Sequence, residues 1–156
     1  MMWSTHMVFG VLFGLLFLYF FPMEILYSVA FLIVCMIAAS IIDIDTTNSK
    51  IGRKLKMISY LFKFFFGHRG FIHSIFIPVI LFVIFWYLQL PFIAFGLLIV
   101  GISHLVGYML TKEGVAPFYP VLMFRIEGIF KTGKFAEKIF FVVICIVDFY
   151  LFFKVF

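Results

Sequence analysis

The sequence predicts an all-α membrane protein: a polytopic helical bundle that occupies residues 1–156 as a single domain. Hydrophobic residues make up 66% of the chain, charged residues only 12%, and the mean hydropathy is +1.26. A typical soluble domain has about 25% charged residues, so this composition excludes an ordinary soluble protein. The apolar runs are continuous and do not alternate with a period of two, which argues against a transmembrane β-barrel. Inside a bilayer such runs must form helices, because a helix satisfies its own backbone hydrogen bonds.

Five apolar runs predict about five transmembrane helices. In chain order the runs are Met7–Phe21, Ile25–Ile42, Ser74–Leu90, Phe92–Leu110 and Ile139–Phe156. Crossing a bilayer takes about 20 residues, with a lower limit near 17. The first run is therefore expected to extend back through Thr5 and His6. The segment Gln89-Leu90-Pro91 leaves room only for a tight turn, so the third and fourth helices should form an antiparallel hairpin.

Basic residues are concentrated in two of the loops between the predicted helices. Six lie between Asp43 and Ser74. Five lie between the fourth and fifth helices, namely Lys112, Arg125, Lys131, Lys134 and Lys138. The two opposite loops carry none, so the positive-inside rule predicts a multi-pass protein of the cytoplasmic membrane with a cytoplasmic N-terminus. The net charge of +5 follows mostly from these loops. No recognition motif for nucleic acid accompanies it, and we expect no nucleic-acid partner.

The basic loop after the second helix contains a further amphipathic pattern over residues 50–66. Apolar residues recur there at three- and four-residue spacing: Ile51, Leu55, Ile58, Phe62 and Phe65. Cations occupy other positions around the same helix, where they would meet anionic lipid headgroups. The pattern predicts an interfacial helix in contact with membrane lipids. A plain connecting helix explains it equally well.

All four histidines and a pair of aspartates fall near the cytoplasmic ends of the predicted helices. They are His6, Asp43, Asp45, His68, His73 and His104. Ionisable groups beside hydrocarbon are costly, which favours a functional role. Neutral imidazole and carboxylate are ligands of zinc and other divalent ions. Each residue alone has a simpler explanation as a polar group at a helix end. Their shared depth predicts a metal site, with zinc as the first candidate and manganese or magnesium as alternatives.

Several short segments occur in a characteristic order between residue 5 and about residue 120. They are Thr5-His6, Asp43-Ile44-Asp45, Gly52-Arg53-Lys54, His68-Arg69-Gly70, His73-Ser74, Ser103-His104-Leu105 and Leu110-Thr111. With this ordered set the chain resembles the YdjM-type family of inner-membrane proteins, which are predicted metal-dependent hydrolases. The resemblance implies a helical membrane protein whose His and Asp residues form a metal-assisted hydrolytic site.

The sequence departs from the family pattern at two positions. Tyr108 stands where family members usually have an Asp, four residues after the histidine of the fourth helix and on the same face. Ile42 replaces a Pro that commonly precedes the Asp-x-Asp motif. The family's His-x-x-x-Asp pattern is similar to part of the ligand set of zinc-dependent phospholipase C, and this analogy suggests a phosphoester substrate. Tyr108 is a poor replacement for a carboxylate ligand, so fewer metal ions, altered chemistry or a non-catalytic member remain open.

The predicted function is a membrane-embedded, metal-dependent hydrolase that acts on a phosphoester of a lipid or lipid-linked substrate at the cytoplasmic face. The expected metal ligands are His6, Asp45, His68, His73 and His104. The expected catalytic residues are Asp43, as a general base or a further ligand, and Arg69, which would hold the phosphate. The expected substrate-binding residues are Arg53 and Lys54, which stand behind Arg69, together with Ser74 and Ser103, which would orient ligands.

Two other classes of function remain open at this stage. A non-catalytic membrane module of the same family would use the basic loops to bind a partner. Histidines that bind haem between helices are a third possibility, although the acidic pair argues against it. The oligomeric state is not predicted by any of these patterns.

Overall fold

The computed structural model describes residues 1–41 and 71–156, and this part of the chain is all-α, as predicted. The helices are α1 (Trp3–Phe20), α2 (Ile25–Ile41), α3 (Phe76–Tyr87), α4 (Pro91–Met109) and α5 (Phe135–Val155). A 3₁₀ turn, Phe71–His73, precedes α3. The interfacial helix predicted for residues 50–66 lies outside the described residues.

Most helix positions agree with the predicted apolar runs. The first helix does extend back through His6 and begins at Trp3. The last helix begins at Phe135, a full turn before the predicted Ile139, because Lys134 is extended and Glu137 occupies the first turn. A carboxylate in the first turn favours helix initiation by its interaction with the helix dipole. Hydrophobicity alone therefore placed the start of this helix too late.

Helix α3 is shorter than the predicted run Ser74–Leu90. On its N-terminal side the chain forms the 3₁₀ turn, and the Ser74 hydroxyl donates a 2.6 Å hydrogen bond to the Phe71 carbonyl. On its C-terminal side Gln89 adopts a positive φ of 59°. The N–H groups of Gln89 and Leu90 donate to the carbonyls of Trp86 and Phe85 at 3.0 and 2.9 Å. This is a Schellman motif, which ends a helix within one residue.

The antiparallel hairpin of α3 and α4 is confirmed. Pro91 follows the Schellman motif directly and begins α4. Proline suits the first helical position because its missing N–H would have no helical partner there. The two helices pack side by side along their length. The two helices are in close contact at Gly101, where an added Cβ would overlap the ring of Pro78. Small residues at helix crossings let backbones approach closely in membrane proteins.

Within the described part of the chain, two helices are long and apolar enough to cross a bilayer, α1 and α4. The helices α2 and α3 are apolar but shorter. Large apolar side chains cover the outside of the bundle: Ile25, Val83 and Phe149 are 70%, 58% and 67% exposed. An exposed apolar surface of this extent fits contact with lipid and not with water. The structure thus supports a helical membrane protein.

In the described part of the chain, the other three helices pack around α1 and α4. Helix α1 contacts α2, α4 and α5, while α4 also contacts α2 and α3. The main apolar core lies where α1, α2 and α4 meet, and it includes the fully buried Phe31, Cys35 and Val100. This packing brings the N-terminal end of α1 beside the C-terminal end of α4, as required for the candidate site.

The connection from α4 to α5 folds back against the same end of the bundle. Two isolated bridges hold it, one between Thr111 and Phe130 and one between Val115 and Ile126. Val115 is fully buried and packs against Leu105 of α4. The connection therefore packs against the C-terminal end of α4.

Glu137 joins three parts of the chain at this end of the bundle. One carboxylate oxygen accepts the Met2 N–H at 2.6 Å, and the other accepts the Gly133 N–H at 2.6 Å. The side chain is only 1% exposed. Buried polar groups must be paired, because an unsatisfied one costs the free energy of its lost hydration. Glu137 thus fixes the start of α1 to the start of α5.

Replacing Glu137 with Gln should lower the stability of the bundle. Gln retains one acceptor oxygen but presents an NH₂ group to the second backbone N–H, leaving a buried donor unsatisfied. We expect a loss of about 1–3 kcal/mol, the cost of such a group, seen as a lower thermal unfolding temperature in detergent micelles. Glu127→Gln, at an exposed position of the preceding loop, is the control. Equal unfolding temperatures for both variants would contradict this role.

Candidate functional site

Three histidines from separate elements meet at one end of the bundle. His6 lies in the first turn of α1, His73 ends the 3₁₀ turn before α3, and His104 lies near the C-terminal end of α4. All three are buried, with exposures of 2%, 1% and 3%. Their convergence requires three chain segments that are far apart in sequence to fold against each other. The structure therefore brings together three of the predicted site residues.

The rings contact each other directly. The imidazoles of His6 and His104 are stacked, with centroids 4.3 Å apart and an angle of 26° between their planes. The imidazole of His73 also packs against His104, with centroids 5.0 Å apart and an angle of 54° between the ring planes. His104 is thus the central imidazole of the cluster.

Tyr108 completes this group of rings. Its phenol ring lies 4.9 Å from His6, 5.2 Å from His73 and 4.8 Å from His104, measured between ring centroids. It is 4% exposed. Residues four apart on a helix share a face, which places Tyr108 beside His104. The spacing in the sequence predicted the face that Tyr108 shares with His104. It did not predict the contacts of the phenol ring with His6 and His73.

Gly107 of α4 lies beside the start of the chain. A Cβ added at Gly107 would lie 2.7 Å from the Met1 side-chain methyl and 3.5 Å from Cε1 of His6. The first contact involves only the flexible end of Met1, which can move aside, and the second is an ordinary van der Waals contact. The neighbouring Thr5 is fully buried, and its hydroxyl has no hydrogen-bond partner among the residues that the structure describes.

The two serines predicted to bind substrate or orient ligands lie beside the histidines and are buried. The Ser74 hydroxyl donates to the Phe71 carbonyl, as described above, and the Ser103 hydroxyl donates to the Val100 carbonyl at 2.8 Å. Each proton is therefore used within the local helix or turn. Each hydroxyl oxygen can still accept a hydrogen bond from a neighbouring side chain or from a substrate. Their predicted role stays a prediction.

The other predicted site residues lie outside the described residues. They are Asp43, Asp45, Arg53, Lys54, His68 and Arg69. Within residues 1–41 and 71–156, no group of three His, Cys, Asp or Glu side chains is arranged to hold a metal ion. The stacking of His6 on His104 gives a physical reason: an imidazole binds metal in its ring plane, whereas stacked rings face each other. The three imidazoles match the chemistry of a zinc site but do not by themselves form one.

The loop that follows α4 carries both signs of charge near this end of the molecule. Burial acts to raise the pKa of Glu113, but hydrogen bonds outweigh it and the pKa lies below its usual value. The strongest of these bonds comes from the Thr132 hydroxyl, 2.7 Å from the carboxylate. Glu113 is therefore ionised at neutral pH and offsets part of the positive charge of this loop.

Comparison with known proteins identifies relatives of this chain. The model of the YdjM inner membrane protein family matches residues 1–155. An uncharacterised protein of Bacillus subtilis, YvsG, is 34% identical over 122 residues, which are 77% of this chain and 76% of the relative. The inner membrane protein YdjM of Escherichia coli is 38% identical over 85 residues, which are 50% of this chain and 43% of that protein. The YdjM of Shigella flexneri matches to the same extent. No solved structure matches the chain.

Proposed function

Because the chain belongs to the YdjM inner membrane protein family, its setting is a cell membrane, and we propose that it is a metal-dependent hydrolase. The substrate we propose is a phosphoester of a lipid or lipid-linked molecule at the cytoplasmic face. The observation that carries the proposal is the contact of three buried imidazoles from three elements, His6, His73 and His104.

The burial of these imidazoles favours a functional role over a structural one. Polar side chains in an apolar bundle are costly, and one histidine at a helix end would be enough to cap that end. Three of them in contact, contributed by distant parts of the chain, are not needed for packing. Neutral imidazole is the commonest metal ligand in proteins. The donor set therefore fits a divalent ion, with zinc first and manganese or magnesium as alternatives.

The further ligands that we propose are Asp45 and His68, with Asp43 as a general base or an additional ligand. Ala38, in the last turn of α2, lines the same cavity as His73 and His104. The chain reaches Asp43 five residues after Ala38, at most about 18 Å of extended chain. This proximity of the end of α2 to the imidazoles supports carboxylates in the same site.

The proposed mechanism assigns a task to each group of side chains. A bound divalent ion would polarise the phosphoryl group and lower the pKa of a water molecule. Asp43 takes the proton of the attacking water, while Arg69, with Arg53 or Lys54 behind it, holds the phosphate oxygens. Attack on phosphorus breaks the ester P–O bond, and the proton that Asp43 took from the water passes to the departing alcohol oxygen. The phenol of Tyr108, buried against all three imidazoles, is placed to orient them.

A non-catalytic membrane module is the second candidate function. It is favoured by Tyr108 standing where the family usually has an Asp, since a phenol is a weaker ligand than a carboxylate. In that case the basic loops would bind a partner, and the histidines would only stabilise the fold. Metal content separates the two functions.

The first test is the metal content of the purified protein. We expect detergent-purified protein to contain a divalent metal, and His73→Ala and His104→Ala to lose it. The affinity for the metal should fall by more than the roughly 10–100-fold that is typical when a residue hydrogen-bonded to a metal ligand is removed. Ser28→Ala, which removes another buried polar side chain near the opposite end of α2, is the control. Metal-free protein, or equal metal content in all variants, would contradict the proposal.

The second test addresses the position of Tyr108. We expect Tyr108→Asp to raise the affinity or the number of bound divalent ions, because it restores a carboxylate beside His104. Tyr108→Asn is the matched control: it has the same shape as Asp but no charge. Elemental analysis and titration with zinc measure the effect. If Asp and Asn behave alike, position 108 does not contribute a ligand.

The third test concerns the proposed topology of five membrane crossings with a cytoplasmic N-terminus. The α4–α5 loop carries four basic residues and the first turn of α5 a fifth, Lys138, whereas the α3–α4 turn carries none. In a background with Cys35 and Cys145 replaced by Ala, we introduce Lys131→Cys or Gln89→Cys. A membrane-impermeant maleimide should label the Gln89→Cys protein in intact cells and the Lys131→Cys protein only after lysis. The reverse pattern would invert the proposed orientation and place the histidines on the outer side.

A further inference from the structure

A cavity of about 210 Å³ extends from the histidines into the apolar part of the bundle. Its polar wall is formed by His73, Ser74 and His104. The remainder of its described lining is apolar and comes from α2, α3 and α4, with Ala38, Ile77, Pro78, Leu81, Leu97 and Leu105 among the lining residues. The cavity thus has one end suited to a polar group and a longer part suited only to hydrocarbon.

The cavity follows two helices for about two turns. On α4, Leu97 and His104 are seven residues apart, so they share a face and lie about 10 Å apart along the axis. On α3, Ser74, Ile77 and Leu81 recur at spacings of three and four residues, again on one face. The space is therefore elongated along the helices, parallel to the direction in which lipid chains run in a bilayer.

Gly101 and Pro78 lie in contact at the wall of this space. The absence of a side chain at Gly101 lets α4 meet the ring of Pro78. Both residues also line the cavity. Apolar cavities of about 150 Å³ that are lined by Leu, Ile and Phe stay dry and bind molecules such as benzene. The part of this cavity that lies away from His73, Ser74 and His104 has a comparable apolar lining, and it is suited to a hydrocarbon segment.

We propose that the cavity is the binding site for an alkyl chain of the substrate, with the polar head of the same molecule at His73 and His104. The identity of the head as a phosphoester rests on the proposed function, whereas the site for the chain rests on the cavity alone. An amphiphile is the occupant that satisfies both ends at once. A purely polar substrate would leave the apolar part empty, and a purely apolar one would place hydrocarbon against the polar wall formed by His73, Ser74 and His104.

The cavity determines the position of the alkyl chain and adds little to the affinity for it. Lipid tails are as apolar as leucine side chains, so a chain that moves from the bilayer into the cavity gains little from hydrophobicity. What the cavity fixes is where the chain lies relative to the imidazoles. We therefore expect the end of the alkyl chain to bind at a saturable site beside Leu81 and Leu97.

The test uses the whole protein in phosphatidylcholine nanodiscs and a long-chain alkyl phosphate that carries a diazirine near its terminal methyl. After photolysis, mass spectrometry locates the labelled residues. We expect saturable labelling of the α3 and α4 segments that contain Leu81 and Leu97, and competition by the unlabelled alkyl phosphate. A second probe with the diazirine next to the phosphate should label the segments that contain His73 and His104. Inorganic phosphate should compete only weakly with either probe.

Matched variants of α3 separate the cavity from the lipid-facing surface. Leu81→Trp fills the cavity and should abolish most of the saturable labelling by the chain-end probe. Val83→Trp, at a position 58% exposed on the same helix, should leave it unchanged. Labelling that is not saturable, or that Leu81→Trp leaves intact in a folded protein, would overturn the inference.

The outcome is independent of the metal proposal. Saturable labelling of a protein that contains no metal would sustain the alkyl-chain site and refute the hydrolase. A metal-containing protein without saturable labelling would sustain the metal site and refute the chain site.

Discussion

The structure depends on the cost of burying polar groups in an apolar bundle. Lipid provides no hydrogen bonds, so buried polar side chains must be satisfied by the protein itself. In the described part of the chain, they are concentrated at one end. There the Glu137 carboxylate accepts two backbone N–H groups, and the Thr111 hydroxyl donates to the Tyr108 carbonyl at 2.9 Å. The same end receives the three imidazoles. Because the buried polar groups lie at this end, the rest of the bundle can be built almost entirely from apolar side chains. This agrees with the high hydrophobic content of the chain.

Tyr108 changes what this collection of polar groups can do. A carboxylate at this position would attract a cation and would accept hydrogen bonds only. A phenol is neutral, donates a proton and presents an aromatic ring, and here that ring contacts three imidazoles at 4.8–5.2 Å. The ring therefore contributes packing as well as polarity. Tyr108 therefore contacts the imidazoles without supplying charge, and any metal site must obtain its negative charge from other residues.

The helices were predictable because hydrocarbon thickness and backbone hydrogen bonding leave few options for long apolar runs. The end of α3 could not be predicted, because Gln89 adopts a positive φ and glutamine has no preference for that conformation. The position of His6, His73 and His104 at one end of the bundle followed from the order of the apolar runs. Their ring contacts did not, because they depend on how α1, α4 and the 3₁₀ turn pack against each other. The cavity could not be predicted for the same reason. It is formed mainly by side chains of three helices, and no single segment of the sequence determines how these helices pack against each other.

Helix α4 connects the candidate site to the cavity through a single face. Leu97, Gly101, His104 and Tyr108 follow one another at intervals of four, three and four residues, so all four lie on this face. Leu97 lines the apolar part of the cavity, Gly101 admits Pro78, and His104 contacts the other rings. A rotation of α4 by one residue, about 100°, would remove all of these contacts together. The orientation of α4 is therefore constrained by packing and by the site at the same time. Since α4 is also the helix that contacts α1, α2 and α3, any change in its packing must alter both the imidazole cluster and the space for a hydrocarbon chain.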